Sequence, residues 1–280
     1  RLYYSSLPDT FFLFFMLTSP LRTSFHTIAL ILFVVHQGIF STTILAQTKH
    51  SPVIEAMKAE MQRTMTDLKT EPNPPYFVSY AITETQYVTL TASFGKIVLE
   101  DSNRTRTLDV EVRVGNYDLD NKRQIRGTNF EMGGFSRGTS IPLDDDAASI
   151  RTAIWAATDR QYKAAAERYL KVVSNRAVKV KEEDSSGDFS KEKPASYSEP
   201  LQKLVINTEV WRERLRRLSE IFNNDPKIYT GDVYLRAEVI HRYFVNSEGT
   251  VIQTSDPYVR VFAQGRTKAD DGMSLPLFRS

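Results

Sequence analysis

The sequence predicts an α+β fold, a mainly antiparallel sheet with long flanking helices. Three observations carry that reading. Apolar and polar residues alternate in two separate stretches, 76–114 and 233–263. Apolar residues at three- and four-residue spacing mark helices before the first stretch and between the two. Connections inside each β stretch are too short for the crossover that parallel strands need, so the strands form an antiparallel meander.

In chain order, residues 1–15 show no core periodicity. Met16 opens a better-formed segment with Arg22 and His26, the apolar run Thr27 to Val35, and small or polar residues up to Ala46-Gln47. This reads as a secretory signal peptide cleaved after Ala46. The run breaks at His36-Gln37-Gly38, short of the roughly 20 residues of a membrane span. An uncleaved anchor that includes Ile39 to Ala46 is the other reading. The expectation is therefore a leader over 1–46, possibly starting at Met16, ahead of a mature module over 47–280. That module would be exported, periplasmic or extracellular, and membrane-anchored if the leader is retained.

Ser51 is a good N-cap, Pro52 fits the first helical position, and Val53, Met57, Met61, Met65 and Leu68 form one helix face. The methionines read as gap-filling core residues. Glu71-Pro72-Asn73-Pro74-Pro75 ends the helix. Strands follow at Tyr76–Thr83, at Val88, Leu90, Ala92 and Phe94, after a Gly95-Lys96 turn at Ile97–Leu99, and at Leu108, Val110, Val112 and Val114, with Gly115 as a stop. Residues 116–143 read as a loop. A second helix carries Ile150, Ile154, Ala157, Tyr162, Ala165 and Tyr169 and runs to about Val173 or slightly further. Residues 181–200 are a polar linker or excursion. A third helix starts at Asn207 or Thr208 with Trp211, Leu215, Leu218 and Phe222 on one face. The last part returns to β structure, with Val233 to Val245 alternating. A hairpin turn follows at Asn246-Ser247-Glu248-Gly249, then a turn at Asp256-Pro257 and a strand at Tyr258–Ala263.

Composition bounds the chemistry. The chain has 280 residues, 36 Lys+Arg against 34 Asp+Glu, 41% hydrophobic residues, four His and no Cys. Disulfides and Cys-ligated zinc or iron–sulfur sites are excluded. A net charge of +2 with interspersed signs provides no basic footprint, and nucleic acid is not an expected partner. Losing the leader removes His26 and His36 and leaves His50 and His241, too few for a His-rich metal site. Neither lies by a G-x-S-x-G nucleophile elbow. His241 reads as a buried or cross-strand-paired imidazole. Met132-Gly133-Gly134-Phe135-Ser136-Arg137-Gly138 is glycine-rich but lacks the Lys-Ser/Thr of a phosphate loop. Asp144-Asp145-Asp146 stand before the second helix and read as caps that complement its positive end. Arg212, Arg214, Arg216 and Arg217 are interleaved with Glu209, Glu213 and Glu220 and read as a solvated face. Asp270-Asp271 beside Gly272 read as a turn. No catalytic, cofactor-binding or metal-ligating residue is assigned.

Arg106-Thr107-Leu108-Asp109-Val110-Glu111-Val112-Arg113-Val114-Gly115 with Leu119-Asp120-Asn121, then Arg242-Tyr243-Phe244-Val245-Asn246-Ser247-Glu248-Gly249-Thr250, then Ala269-Asp270-Asp271-Gly272-Met273, resemble the N-terminal region of the TldD/PmbA, or modulator of DNA gyrase, family of metallopeptidases. The resemblance covers nearly all of residues 50–275. It implies an α+β domain that shapes a substrate cavity or binds a partner, in proteases acting on peptides or unfolded protein as homo- or hetero-oligomers with a family paralogue. The family's HExxxH zinc motif is absent from this sequence, so zinc is expected only in a C-terminal catalytic domain beyond it. The sequence ends soon after the third marker without an expected closing helix or strand, which reads as a fragment. A metal-free subunit or binding module of the same fold in the bacterial envelope is the alternative.

Overall fold

The computed structural model describes residues 51–125, 138–177 and 186–279. The leader, His50, Met132 to Arg137 and residues 181–185 of the expected linker lie outside the described residues. Three helices and seven strands are described: α1 (Pro52–Asp67), β1 (Pro75–Ser93), β2 (Lys96–Val114), β3 (Thr139–Ser140), α2 (Ala147–Ala177), β4 (Ser196–Ser198), α3 (Thr208–Glu220), β5 (Thr230–Asn246), β6 (Val251–Lys268) and β7 (Ser274–Arg279). The sheet runs β3-β2-β1-β5-β6-β4, with β7 also paired to β6. It is antiparallel except for the β4–β6 pair.

α1 begins as its sequence predicts. Ser51 Oγ accepts from Ile54 N at 3.4 Å, and Pro52 occupies the first turn, where its missing N–H costs nothing. Val53, Ile54, Met57 and Met61 are buried against β1 and β5, each worth about 1.5–3 kcal/mol of transfer free energy. α2 presents Ile150, Ile154, Ala157, Tyr162 and Ala165 to the same core. Both helices lie on one side of the sheet, over Val78, Tyr80, Ile82, Leu108, Val112, Tyr243 and Val245. α3 lies on that side too, over Leu90, Ala92, Val233 and Leu235.

Four expectations change. The four short strands of the first β stretch are two strands of 19 residues each, joined by a turn at Phe94-Gly95 with φ +83° at the glycine. Polar residues on both faces at 84–87 and 100–107 interrupt the apolar alternation but not the ladder, which pairs Glu84 with Arg106. Asp256-Pro257 is no turn but the middle of β6, opposite Ile240 and Val239. Its other side is open between β4 and β7, so the N–H that proline lacks belongs to an edge. Leu218 is not on the buried face of α3. It is 45% exposed, and Ser219 is buried in its place, accepting from Gly95 N at 2.9 Å and pinning the β1–β2 turn. The final residues are the strand β7, returned by a turn at Asp270-Asp271 with Gly272 at φ +86°.

The polar stretch 181–200 is also more ordered than its composition suggests, at least over its described part. Phe189 stacks on Tyr117 and meets Phe77 edge-on at 4.9 Å, with the Arg113 guanidinium 3.9 Å from its ring. Asp188 accepts from Asp120 N at 2.8 Å and pairs with Arg123 at 3.0 Å. Ser196–Ser198 then pairs with β6, and Gln202 N donates to Ser255 Oγ at 2.9 Å. The segment is thus a strap that crosses one end of the sheet, from the start of β1 and the end of β2 to the start of β6.

Candidate functional site

The densest group of titratable residues sits on the helix-bearing side, between the two apolar clusters. Register puts Glu84 opposite both Arg106 on β2 and His241 on β5, and His241 opposite Ser255 on β6. Arg106 is 1% exposed. Its Nε donates to Glu84 Oε2 at 2.7 Å, its Nη1 to Pro142 O and Asp144 O at 3.1 Å each, and its Nη2 to Asp145 Oδ1 at 2.6 Å and again to Glu84 Oε2. All five guanidinium N–H groups are therefore used. Burial pulls the Arg106 pKa down, but the bonds to Asp145 and Glu84 outweigh it and hold the group above its ordinary value. Glu84 Oε1 accepts from Arg104 Nε at 2.8 Å. His241 is pushed below its ordinary pKa, by burial first and by Arg104 and Arg106, against the opposing pull of Glu84 and Asp145. Ser255 Oγ, already accepting from Gln202 N, lies 3.0 Å from His241 Nδ1 and has its own hydrogen left for that nitrogen. A cluster so fully paired locks the entry of α2 and the strap to the sheet.

The aspartate triplet divides its work. Asp146 caps α2, accepting from Ser149 N at 2.7 Å, and hydrogen bonding from the Ser149 side chain first, then from its backbone N–H, holds the carboxyl below the usual range. Asp145 instead faces Arg106, a partner 39 positions away that helix capping could not suggest. The arginines of α3 are engaged: Arg212, half-buried, with Glu100 and Glu209, the exposed Arg216 and Arg217 with Glu213, and the exposed Arg214 over the Trp211 ring at 5.0 Å. Met57 and Met61 are core residues, as their stripe suggests.

The opposite side of the sheet carries no helix among the described residues. Register places on it the rows Asn103, Tyr87, Glu238 and Tyr258; Asp101, Thr89, Arg236 and Arg260; and Leu99, Thr91, Tyr234 and Phe262. The Arg236 guanidinium lies 4.2 Å from the Tyr87 ring, Tyr234 stacks on Phe262 at 4.5 Å, and Tyr87 OH donates to Asp101 Oδ2 at 3.2 Å. Thr89 and Thr91 each hold a buried hydroxyl oxygen without a hydrogen-bond partner. Leu99 is 50% exposed and Tyr258 39%. Aromatic rings and guanidinium groups in adjacent rows of one sheet face are the composition of a contact face.

The resemblance read above implies zinc, and the described residues do not fit it. No group of three or more His, Asp or Glu is arranged to hold a metal among them. His241, the one described histidine, has Nδ1 engaged by Ser255, and Glu84 is occupied by two guanidinium groups. No described helix is long and apolar enough to cross a membrane.

No family model and no curated protein sequence matches the chain. Among solved structures, the chain is similar to a modulator of a DNA gyrase from Thermotoga maritima, with TM-score 0.40, 12% identity, and 79% of this chain and 42% of that one covered. It is similar to TldE from Thermococcus kodakarensis, with TM-score 0.44, 12% identity, and coverage of 80% and 42%. It is also similar to a modulator of DNA gyrase from Bacteroides thetaiotaomicron, with TM-score 0.43, 10% identity, and coverage of 79% and 43%. The chain spans less than half the length of these structures.

Proposed function

We propose that this domain is a non-catalytic, polypeptide-binding portion of a TldD/PmbA-like zinc metallopeptidase that acts on peptides or unfolded protein. Its helix-free sheet face is the binding surface, receiving substrate or a paralogous subunit of a homo- or hetero-oligomer. Metal-bound water would do the chemistry in a separate catalytic domain, and residues 1–46 would direct export to the bacterial envelope. The observation that carries the reading is the face itself: Tyr87, Tyr234, Tyr258, Phe262, Arg236 and Arg260 in adjacent rows. Tyrosine and arginine are the residue types that dominate polypeptide interfaces.

The test is fluorescence anisotropy of a labelled, permanently unfolded protein titrated with the purified chain. Binding is expected, with no cleavage in the presence of added zinc. Tyr258→Ala with Arg260→Glu should weaken it by about tenfold or more, the cost of about 1.4 kcal/mol or more at a hot spot. Absence of binding, or binding indifferent to both substitutions, refutes the face. Cleavage, or one tightly bound zinc per chain by metal analysis, refutes the non-catalytic assignment.

A further inference from the structure

We propose that a cleft on the helix-bearing side, beyond the end of α3, binds the C-terminal residue of a peptide. An apolar side chain would enter the cleft and the free carboxylate would meet Lys227 and Arg279. The site lies on the face opposite the polypeptide-binding surface and stands independently of it.

The cleft encloses about 320 Å³, at the small end of ligand sites, which run from roughly 300 to 1,000 Å³. Its floor is Phe222, seated over bare backbone. A Cβ at Gly231 would collide with the ring, and one at Gly265 would stand 3.4 Å from its Cε1. Ala263, Ile228, Leu275 and Leu277 complete the apolar lining. The β6–β7 register pairs Leu275 with Thr267 and Leu277 with Gly265, so both leucines share this side of the sheet, yet they are 42% and 65% exposed. The wall opposite them is built. Ile228 N donates to Asp225 O at 3.1 Å, Tyr229 N to Arg266 O at 3.0 Å, and Tyr229 OH and Ser274 Oγ are 2.8 Å apart.

Charge and backbone choose the occupant. Lys227 and Arg279 line the cleft, and neither side chain makes an ion pair or hydrogen bond among the described residues. The acid at the rim, Asp225, already accepts from Lys227 N at 2.9 Å. The ligand is therefore apolar at one end and anionic at the other. Among the described residues no strand lies beyond β7, so its outer backbone groups can bond to an amide, which a hydrocarbon chain would leave unused. Pro276 interrupts that edge, favouring a short terminal contact over a full added strand.

Calorimetric titration of the 280-residue chain tests this with an N-acetylated tetrapeptide ending in Leu, its C-terminal amide, and decanoate. The acid peptide should bind, with the amide and decanoate each weaker by about tenfold or more. Lys227→Gln with Arg279→Gln, both at exposed positions, should reduce the acid to the level of the amide. Equal binding of acid and amide, no binding of the acid, tighter binding of decanoate, or an acid preference that survives the double substitution overturns the proposal.

Discussion

Arg106 is the residue whose importance is least proportional to its visibility. In the sequence it is one basic residue among the polar positions 100–107, and helix capping accounts for Asp145 without it. In the fold, its five donors join β1, β2 and the entry to α2. Glu84→Leu, which removes the buried partner of that cation and leaves it only the half-exposed Asp145, should cost about 3–5 kcal/mol, and Glu84→Leu with Arg106→Met less than the sum of the single changes. Urea midpoints of the four proteins measure this, and strict additivity contradicts it. His241 makes a second prediction. Burial holds its folded pKa below the unfolded value near 6.5, so its contribution is complete above about pH 6.5 and is lost as pH falls towards the folded pKa. Between pH 7.5 and 5.5 the native chain should therefore lose more stability than His241→Gln, whose amide keeps a partner for Ser255. Equal losses would remove the imidazole from the pH response.

At the scale of elements, helix faces and caps were legible because their signals are local. Ser51, Pro52, Asp146 and Asn207 act where their spacing places them, with Asn207 Oδ1 accepting from Val210 N at 3.1 Å. The alternation of β5 was legible for the same reason: Val233, Leu235, Ala237, Val239, His241, Tyr243 and Val245 are all buried. What escaped depends on distant partners. Strand length was hidden by the Glu84–Arg106 pair, Pro257 by an edge that only the strand order defines, and the strap by bonds from Asp188 and Phe189 to residues about 70 positions earlier. Phe189→Ala should cost about 1 kcal/mol in lost aromatic contact and raise limited proteolysis within 186–200 while the sheet stays folded. Unchanged cleavage there contradicts the strap. Gly231→Ala should destabilise by about 1–3 kcal/mol through overpacking against Phe222, and Phe222→Ala should relieve part of that loss.

For the whole molecule, the helices divide the sheet into a side committed to the core and a side left for contact. The division follows from α1, α2 and α3 all lying over the same face, so every apolar cluster forms there. The candidate contact face was unreadable in advance because polar alternation looks identical whether water or a partner lies beyond it. Only register brings Tyr87, Arg236, Tyr258 and Phe262 into neighbouring rows. Hydroxyl-radical footprinting with a saturating, permanently unfolded protein tests that division most directly. The account predicts protection of Tyr87, Tyr234, Tyr258 and Phe262 while Trp155, 52% exposed on α2, stays reactive. Protection of Trp155 with the four sheet residues unchanged would contradict it.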